Sequence, residues 1–140
     1  MIIDFTVSNF RSIKEPQTIS FEATDDKHLE EYYIVEKGGY RLLKMATLIG
    51  ANASGKSNIL QAYMLFLKLI RVPCENKTDR IVYDKFALDS NCANQDSSII
   101  VNFICDGCHY QYKVVFNNEM VVEETLLCRL LDCSELETAF

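Results

Sequence analysis

Residues 50–57 read Gly-Ala-Asn-Ala-Ser-Gly-Lys-Ser and fit the pattern G-x-x-x-x-G-K-[ST] of a phosphate-cradling P-loop. A polyphosphate is densely anionic, so the loop must aim several backbone N–H groups at it. Gly50 and Gly55 permit the tight path and close approach that a Cβ would block. Lys56 brings a point charge to the phosphates, and the Ser57 hydroxyl is suited to ligate Mg²⁺.

The segments that flank this loop predict a strand before it and a helix after it. Residues 42–49, Leu-Leu-Lys-Met-Ala-Thr-Leu-Ile, predict a buried strand that runs into the loop. The apolar pattern from Ser57 to Arg71 predicts a helix that stops at Pro73, and its dipole would favour an anion at its start. The helix is apolar nearly all round, so we expect a sheet on one side and a cover on the other. This context favours a nucleotide site over a Gly-rich turn without a ligand.

The rest of the chain reads mainly as strands. Ile3, Phe5 and Val7 alternate with polar residues, and Thr18 to Phe21 predict a second strand that is antiparallel to the first. Gly38-Gly39 indicates a turn, and residues 81–88 an extended segment. Three strands should follow as a meander, over residues 99–105, 110–116 and 121–128. Asp106-Gly107 and Asn117-Asn118 mark its two turns.

The turn after the first strand contains Arg11, which allows two interpretations. It is either a solvated turn cation or a contact to nucleotide, since this turn could lie beside the P-loop strand.

Cys105-Asp106-Gly107-Cys108 allows three interpretations. C-x-x-C is typical of redox pairs and of half zinc sites, for which Cys128 and Cys133 would be the other half. The spacing of that second pair is loose for zinc, and a redox C-x-x-C usually opens a helix rather than a hairpin. Two packing cysteines that flank a turn are the third interpretation.

Composition limits the class of protein. The 140 residues are one domain or part of one, with 49% hydrophobic residues and a net charge of −6, which disfavours a broad nucleic-acid surface. No signal peptide or membrane span is evident, so we expect a cytoplasmic protein without membrane contact, whose six cysteines are reduced.

Asn76-Lys77-Thr78-Asp79 matches the guanine-reading N-K-x-D of GTPases. It follows the P-loop too closely for that role and no D-x-x-G intervenes, so we reject it.

Two groups of residues together resemble the N-terminal lobe of ABC-type AAA ATPases, the relatives of RecF, the OLD nucleases and the structural-maintenance-of-chromosomes proteins. The first group is Phe5-x-Val7-x-Asn9-Phe10-Arg11-Ser12-Ile13, and the second is the P-loop with Asn58 after it. Phe86-Ala87-Leu88, Tyr110-x-Tyr112 and Glu124-x-Leu126 are similar but less specific. Many relatives carry Gly where Ala53 stands. The resemblance covers most of residues 1–128, which we take as one lobe, with 129–140 as a tail of unclear structure.

The resemblance implies an α/β fold, in which a mixed sheet with a β-meander packs around one buried P-loop helix. It implies ATP and Mg²⁺ as cofactors, with Ser57 as the metal ligand. The resemblance assigns these residues to the nucleotide: Gly50, Ala51, Asn52, Ala53, Ser54, Gly55, Lys56, Ser57 and Asn58. We add Arg11, the cation of the neighbouring turn, as a further candidate. Relatives dimerise over ATP and couple it to work on nucleic acids.

Two family elements are not recognisable in this sequence. These are a Walker B strand that ends in Asp-Glu and an L-S-x-G-like signature segment, both of which hydrolysis needs. Asp132 follows two leucines but has no second acid. We therefore expect an N-terminal part of the domain that binds ATP and self-associates through exposed apolar strands. The alternatives are a P-loop kinase or NTPase of another class, and a non-catalytic β-rich interaction module with a vestigial P-loop.

Overall fold

A computed structural model describes residues 1–72, 76 and 79–131, and the backbone of residues 137–138. The predictions that involve Pro73, Lys77, Thr78, Asp132 and Cys133 lie outside the described residues. The described elements are strands β1 (Ile2–Ser8) and β2 (Gln17–Ser20), helix α1 (Glu30–Tyr33), strands β3 (Ile34–Lys37) and β4 (Tyr40–Leu43), helices α2 (Lys56–Arg71) and α3 (Ser90–Ala93), and strands β5 (Ser97–Cys105), β6 (Cys108–Phe116), β7 (Val121–Leu130) and β8 (Glu137–Thr138).

Six strands form one sheet in the order β2-β1-β5-β6-β7-β8, and β3 pairs with β4 in a separate hairpin. Every pairing among the described strands is antiparallel, so the expectation of a mixed sheet is wrong for this part of the chain. The first two strands pair as predicted, with Phe5 opposite Ile19. The predicted meander is confirmed as β5, β6 and β7. Positive φ angles at Asp106 and Gly107, 47° and 80°, make the β5–β6 connection a two-residue turn of the kind that suits twisted strands.

One face of the sheet forms the main core with α2. Alternate residues of the central strands point to this face because successive side chains of a strand alternate. Phe66 of α2 lies against Phe5 and Tyr112, with ring centroids 6.2 and 5.8 Å apart, and Tyr63 meets Phe5 edge to face at 5.4 Å. The buried residues of this core are Phe5, Val7, Phe10, Ile13, Ala62, Phe66, Ile99, Val101, Val114 and Phe116.

The opposite face carries the β3–β4 hairpin. Leu42 of β4 is fully buried against Ile3 and Ile104. A bulge in β1 between Ile2 and Asp4 shifts the register there, which lets Ile3 join this second core while Ile2 packs against the first. The hairpin therefore fixes the start of the segment that leads to the P-loop.

The predicted strand over residues 42–49 is wrong beyond its first two residues. β4 ends at Leu43, and residues 44–50 have no regular secondary structure. Ile49 is 90% exposed and Met45 66% exposed, so this segment is not buried either. A strand needs a neighbour to satisfy its backbone groups. The Lys44 N–H still donates to the Tyr33 carbonyl at 2.8 Å, but no strand pairs with residues 45–49 in the part of the chain that the structure describes.

The helix prediction is right in its extent but wrong about its surroundings. α2 spans Lys56–Arg71, one residue longer at its start than predicted. It is not covered on both sides, because Leu60 and Met64 are 57% and 64% exposed. These residues lie four apart on the face turned away from the sheet, and no described element packs over that face.

Candidate functional site

The P-loop ends in a sharp entry to α2. Gly55 is the N-cap of the helix and has a φ of 90°, a conformation that favours glycine. A Cβ added at Gly55 would lie 3.6 Å from the Oγ of Ser12. A Cβ added at Gly50 would come within 3.0 Å of the Ser54 Oγ. The backbone of Gly55 therefore favours glycine, whereas a side chain at Gly50 would require the Ser54 side chain to move.

Ala53, like Gly55, has a positive φ. Its φ is 63°, in the left-handed region where a Cβ is strained. This is the position where many of the resembling proteins carry glycine. The alanine therefore occupies a backbone conformation that glycine would adopt at lower cost.

A cavity of about 360 Å³ opens at the start of α2. The first N–H groups of any helix lack intrahelical partners, so the end of α2 presents donors and the positive end of its dipole to this space. Ser57, the predicted Mg²⁺ ligand, is exposed on its wall. The lining residues are Ser12, Ala53, Ser54, Gly55, Lys56, Ser57 and Asn58.

Lys56 is folded back over the loop. Its ammonium donates hydrogen bonds to the backbone oxygens of Gly50 at 2.8 Å and Ala51 at 2.6 Å, and to the Ser54 Oγ at 3.1 Å. Three oxygens thus surround the cation at the place where the motif expects phosphate oxygens. Neutral oxygens are weaker partners for an ammonium than anionic ones, so these bonds can be exchanged for a bound anion.

The second wall of the cavity comes from the turn that follows β1. Asn58 of α2 donates a hydrogen bond from Nδ2 to the Oγ of Ser12 at 2.6 Å. Within the turn, the backbone N–H groups of Phe10 and Ile13 each donate to the other's carbonyl, at 2.9 and 2.8 Å. Sequence reasoning missed Ser12, although it adjoins Arg11 in the quoted motif and carries a hydroxyl.

Asn9 anchors this turn in the protein. It is buried with a φ of 50°, and its Nδ2 donates to the carbonyls of Cys92 and Gln95, both at 2.9 Å. Its Oδ1 accepts the N–H of Phe86 at 3.1 Å, and its own carbonyl accepts the Ser97 hydroxyl at 2.6 Å. Because every polar group of the Asn9 side chain is bonded, the turn that carries Ser12 is held against the segment over residues 84–97.

The structure places Arg11 next to α2 but not on the wall of the cavity. Its guanidinium donates to the Oε1 of Gln61 and lies 3.3 Å from the carboxylate of Asp84. Its backbone N–H donates to the Asp84 carbonyl at 2.9 Å. The turn therefore does lie beside the P-loop region, as the sequence allowed, while the side chain that reaches the cavity is Ser12.

The cysteines of the C-x-x-C segment flank the β5–β6 turn, with Cys105 directly opposite Cys108. In the described ranges, no group of three or more His, Cys, Asp or Glu side chains is arranged to hold a metal ion. Cys133, which the zinc hypothesis needs, lies outside these ranges. None of the helices described is long and apolar enough to cross a membrane.

Comparison with known protein families assigns the chain to a family. A model described as "AAA ATPase domain" matches residues 1–130, and the chain belongs to this family. A search of curated proteins found no match. Family membership supports an ATP-binding, ATPase-like function in general terms, with use of nucleotide and Mg²⁺.

Proposed function

We propose that this chain binds ATP–Mg²⁺ through residues 50–58, as the nucleotide-binding part of an ABC-type AAA ATPase lobe. The observation that carries the proposal is Lys56. Its ammonium is held by three loop oxygens at the mouth of a cavity that the start of α2 lines. A binding site for polyphosphate needs this combination of a cation, helix N-terminal N–H groups and room for the anion.

The residues present fit the cofactor. Gly55, with its φ of 90°, carries no side chain into the wall of the cavity that it lines. The Ser57 hydroxyl, on the same wall, would hold Mg²⁺, which neutralises phosphate charge when bound. Ser12 adds a hydroxyl from the opposite wall. The role we assign to Lys56 is to leave the loop carbonyls and pair with the phosphates.

Binding without efficient hydrolysis is the activity that we propose for this sequence. The residues described around the cavity contain no carboxylate that could orient an attacking water, since its lining is made of Ser, Ala, Gly, Lys and Asn. By resemblance, a second subunit and an Asp-Glu pair would complete such a site. Dimerisation over ATP and work on nucleic acid remain proposals that rest on this resemblance.

Calorimetric titration with ATP and Mg²⁺ tests the proposal. The wild-type chain should bind, and Lys56→Ala should lose measurable binding because the cation is removed. Lys68→Ala is the matched control: it lies on the same helix, is exposed and does not line the cavity. Equal affinity of Lys56→Ala and Lys68→Ala would overturn the proposal. Absence of binding in a folded wild type would favour an interaction module instead.

A further inference from the structure

Three thiols lie together at the end of the sheet, around the β5–β6 turn. Cys105 ends β5, Cys108 begins β6, and the two are Cα partners across Asp106 and Gly107. Directly opposed residues of a hydrogen-bonded antiparallel pair have Cα atoms about 5.5 Å apart, within the range of about 4.4–6.8 Å that disulfides span. The backbone separation of this pair is therefore within disulfide range. The Cys105 thiol donates to the Asp106 carboxylate at 3.5 Å, so its side chain must leave that contact before it bonds to Cys108.

The third thiol, Cys128, is a neighbour of a different kind. It lies on β7 opposite Tyr110, and therefore diagonal to Cys108 on the same face. The Cys108 thiol interacts with both Cys128 and the Tyr110 hydroxyl. Diagonal neighbours have Cα atoms about 7–8 Å apart, which exceeds the disulfide range unless the backbone moves. Cys128 is thus a contact of Cys108 but a poorer partner for a covalent bond.

The three thiols also differ in access to solvent. Cys105 is exposed, whereas Cys108 and Cys128 are half-buried. Partial burial, together with the contact to Cys128, raises the pKa of the Cys108 thiol, which lowers its reactivity toward a dissolved oxidant. A dissolved oxidant therefore meets Cys105 first, with a second thiol directly opposite it.

We propose that Cys105 and Cys108 are an oxidation site that closes to an intrachain disulfide in the presence of a hydroperoxide. The Cys105 sulfur attacks one peroxide oxygen, the O–O bond breaks, and the leaving oxygen departs as water after taking the thiol proton. The product is a sulfenic acid on Cys105. The Cys108 sulfur then attacks the Cys105 sulfur, the S–O bond breaks, and a second water leaves with the Cys108 proton. Two thiols are oxidised by two electrons, and one H₂O₂ is reduced to two waters.

Reversal uses ordinary thiol chemistry. An external thiolate attacks one sulfur of the bridge and forms a mixed disulfide, and a second thiol releases the protein dithiol. The site is separate from the P-loop cavity, which none of the three cysteines lines. The inference therefore stands whether or not the chain binds ATP.

Peptide mapping after H₂O₂ treatment tests the inference. The folded chain is oxidised, free thiols are blocked with N-ethylmaleimide, and the digest is read by mass spectrometry without reduction. We expect a Cys105–Cys108 bridge, seen as the loss of two hydrogens and of both alkylation sites, and its removal by dithiothreitol. A dominant bridge from either residue to Cys128 or to any other cysteine would overturn the assignment. So would a sulfinic acid on Cys105 without a bridge.

Variants separate the two steps. Cys108→Ser should stop at a Cys105 sulfenic acid that dimedone traps. Cys105→Ser should slow the loss of the Cys108 thiol by about tenfold or more, because a protonated thiol reacts poorly. Cys128→Ala is the matched control and should still form the Cys105–Cys108 bridge. An unchanged rate of Cys108 loss in Cys105→Ser, with circular dichroism showing an intact fold, would overturn the proposal.

Discussion

Asn58 and Ser12 join two parts of the chain that are 46 residues apart, through a hydrogen bond of 2.6 Å from the Asn58 Nδ2 to the Ser12 Oγ. The bond connects the first turn of α2 to the turn after β1, and both residues line the cavity. We expect Ser12→Ala and Asn58→Ala to be coupled by about 0.5–1.5 kcal/mol, the usual net contribution of such a bond. A double-mutant cycle by urea unfolding measures this coupling.

The control for this cycle pairs Ser12→Ala with Lys68→Ala. Lys68 lies on the same helix but does not line the cavity with Ser12. The effects of these two substitutions on the free energy of unfolding should be additive to within about 0.3–0.5 kcal/mol. If the Ser12–Asn58 pair is equally additive, the bond does not hold the two walls together.

The backbone of Ala53 predicts that glycine stabilises the loop. A φ of 63° destabilises the folded state by about 1–2 kcal/mol when the residue has a Cβ. Glycine removes this strain, but its greater freedom in the unfolded chain lowers stability by about 0.5–1 kcal/mol. Ala53→Gly should therefore raise the free energy of unfolding by up to about 1.5 kcal/mol. Ala51→Gly is the matched control, because Ala51 has no positive φ, and this change should lower it. Chemical denaturation of both variants decides the sign.

The two sides of α2 should respond differently to truncation. Phe66 is buried against Phe5 and Tyr112, so Phe66→Ala should cost about 3–5 kcal/mol of unfolding free energy. Met64, two residues earlier, is exposed, and Met64→Ala should change stability by no more than about 0.5 kcal/mol. A large loss in Met64→Ala would show that the outer face of the helix is covered in solution.

His109 predicts a loss of stability on mild acidification. Burial and the neighbouring guanidinium of Arg129, 3.0 Å from the Nδ1, lower its pKa in the folded protein, while Asp4 opposes this shift. Tyr40 packs against the ring, and no described group bonds the Nε2. The unfolded chain therefore binds the proton first, so stability should fall as the pH drops below about 6.5, by at most about 1.4 kcal/mol per pH unit.

His109→Gln removes this titration and should flatten the dependence of unfolding free energy on pH between about 7 and 5.5. His28→Gln is the control, since His28 is the other histidine of the chain and is exposed. The same slope in wild type and His109→Gln would contradict the assignment.

The exposed segment before the P-loop predicts self-association. Met45 and Ile49 are exposed apolar residues of a segment without a strand partner among the described residues. Light scattering across a concentration series should show mass that rises with concentration, and Met45→Lys with Ile49→Lys should reduce it. Glu31→Lys, a charge change on an exposed residue elsewhere, is the control. A wild-type monomer at all concentrations would exclude this mode of association.

Local sequence patterns were sufficient for the features that depend on near neighbours. Alternation in residues 3–7 predicted β1, and Asp106-Gly107 predicted the β5–β6 turn because two residues with positive φ suit that connection. The P-loop motif marked the start of α2 to within one residue, since Gly55 can adopt the N-cap conformation and the apolar run follows it.

Only the tertiary structure decided the features that join distant residues. Ser12 reaches the cavity because Asn9 is bonded to residues 86, 92, 95 and 97, and nothing in the local sequence encodes those contacts. Arg11 pairs with Gln61 and Asp84 for the same reason. The strand expected over residues 42–49 ends at Leu43, and Leu60 and Met64 stay exposed, because burial and strand pairing need a partner surface as well as an apolar sequence.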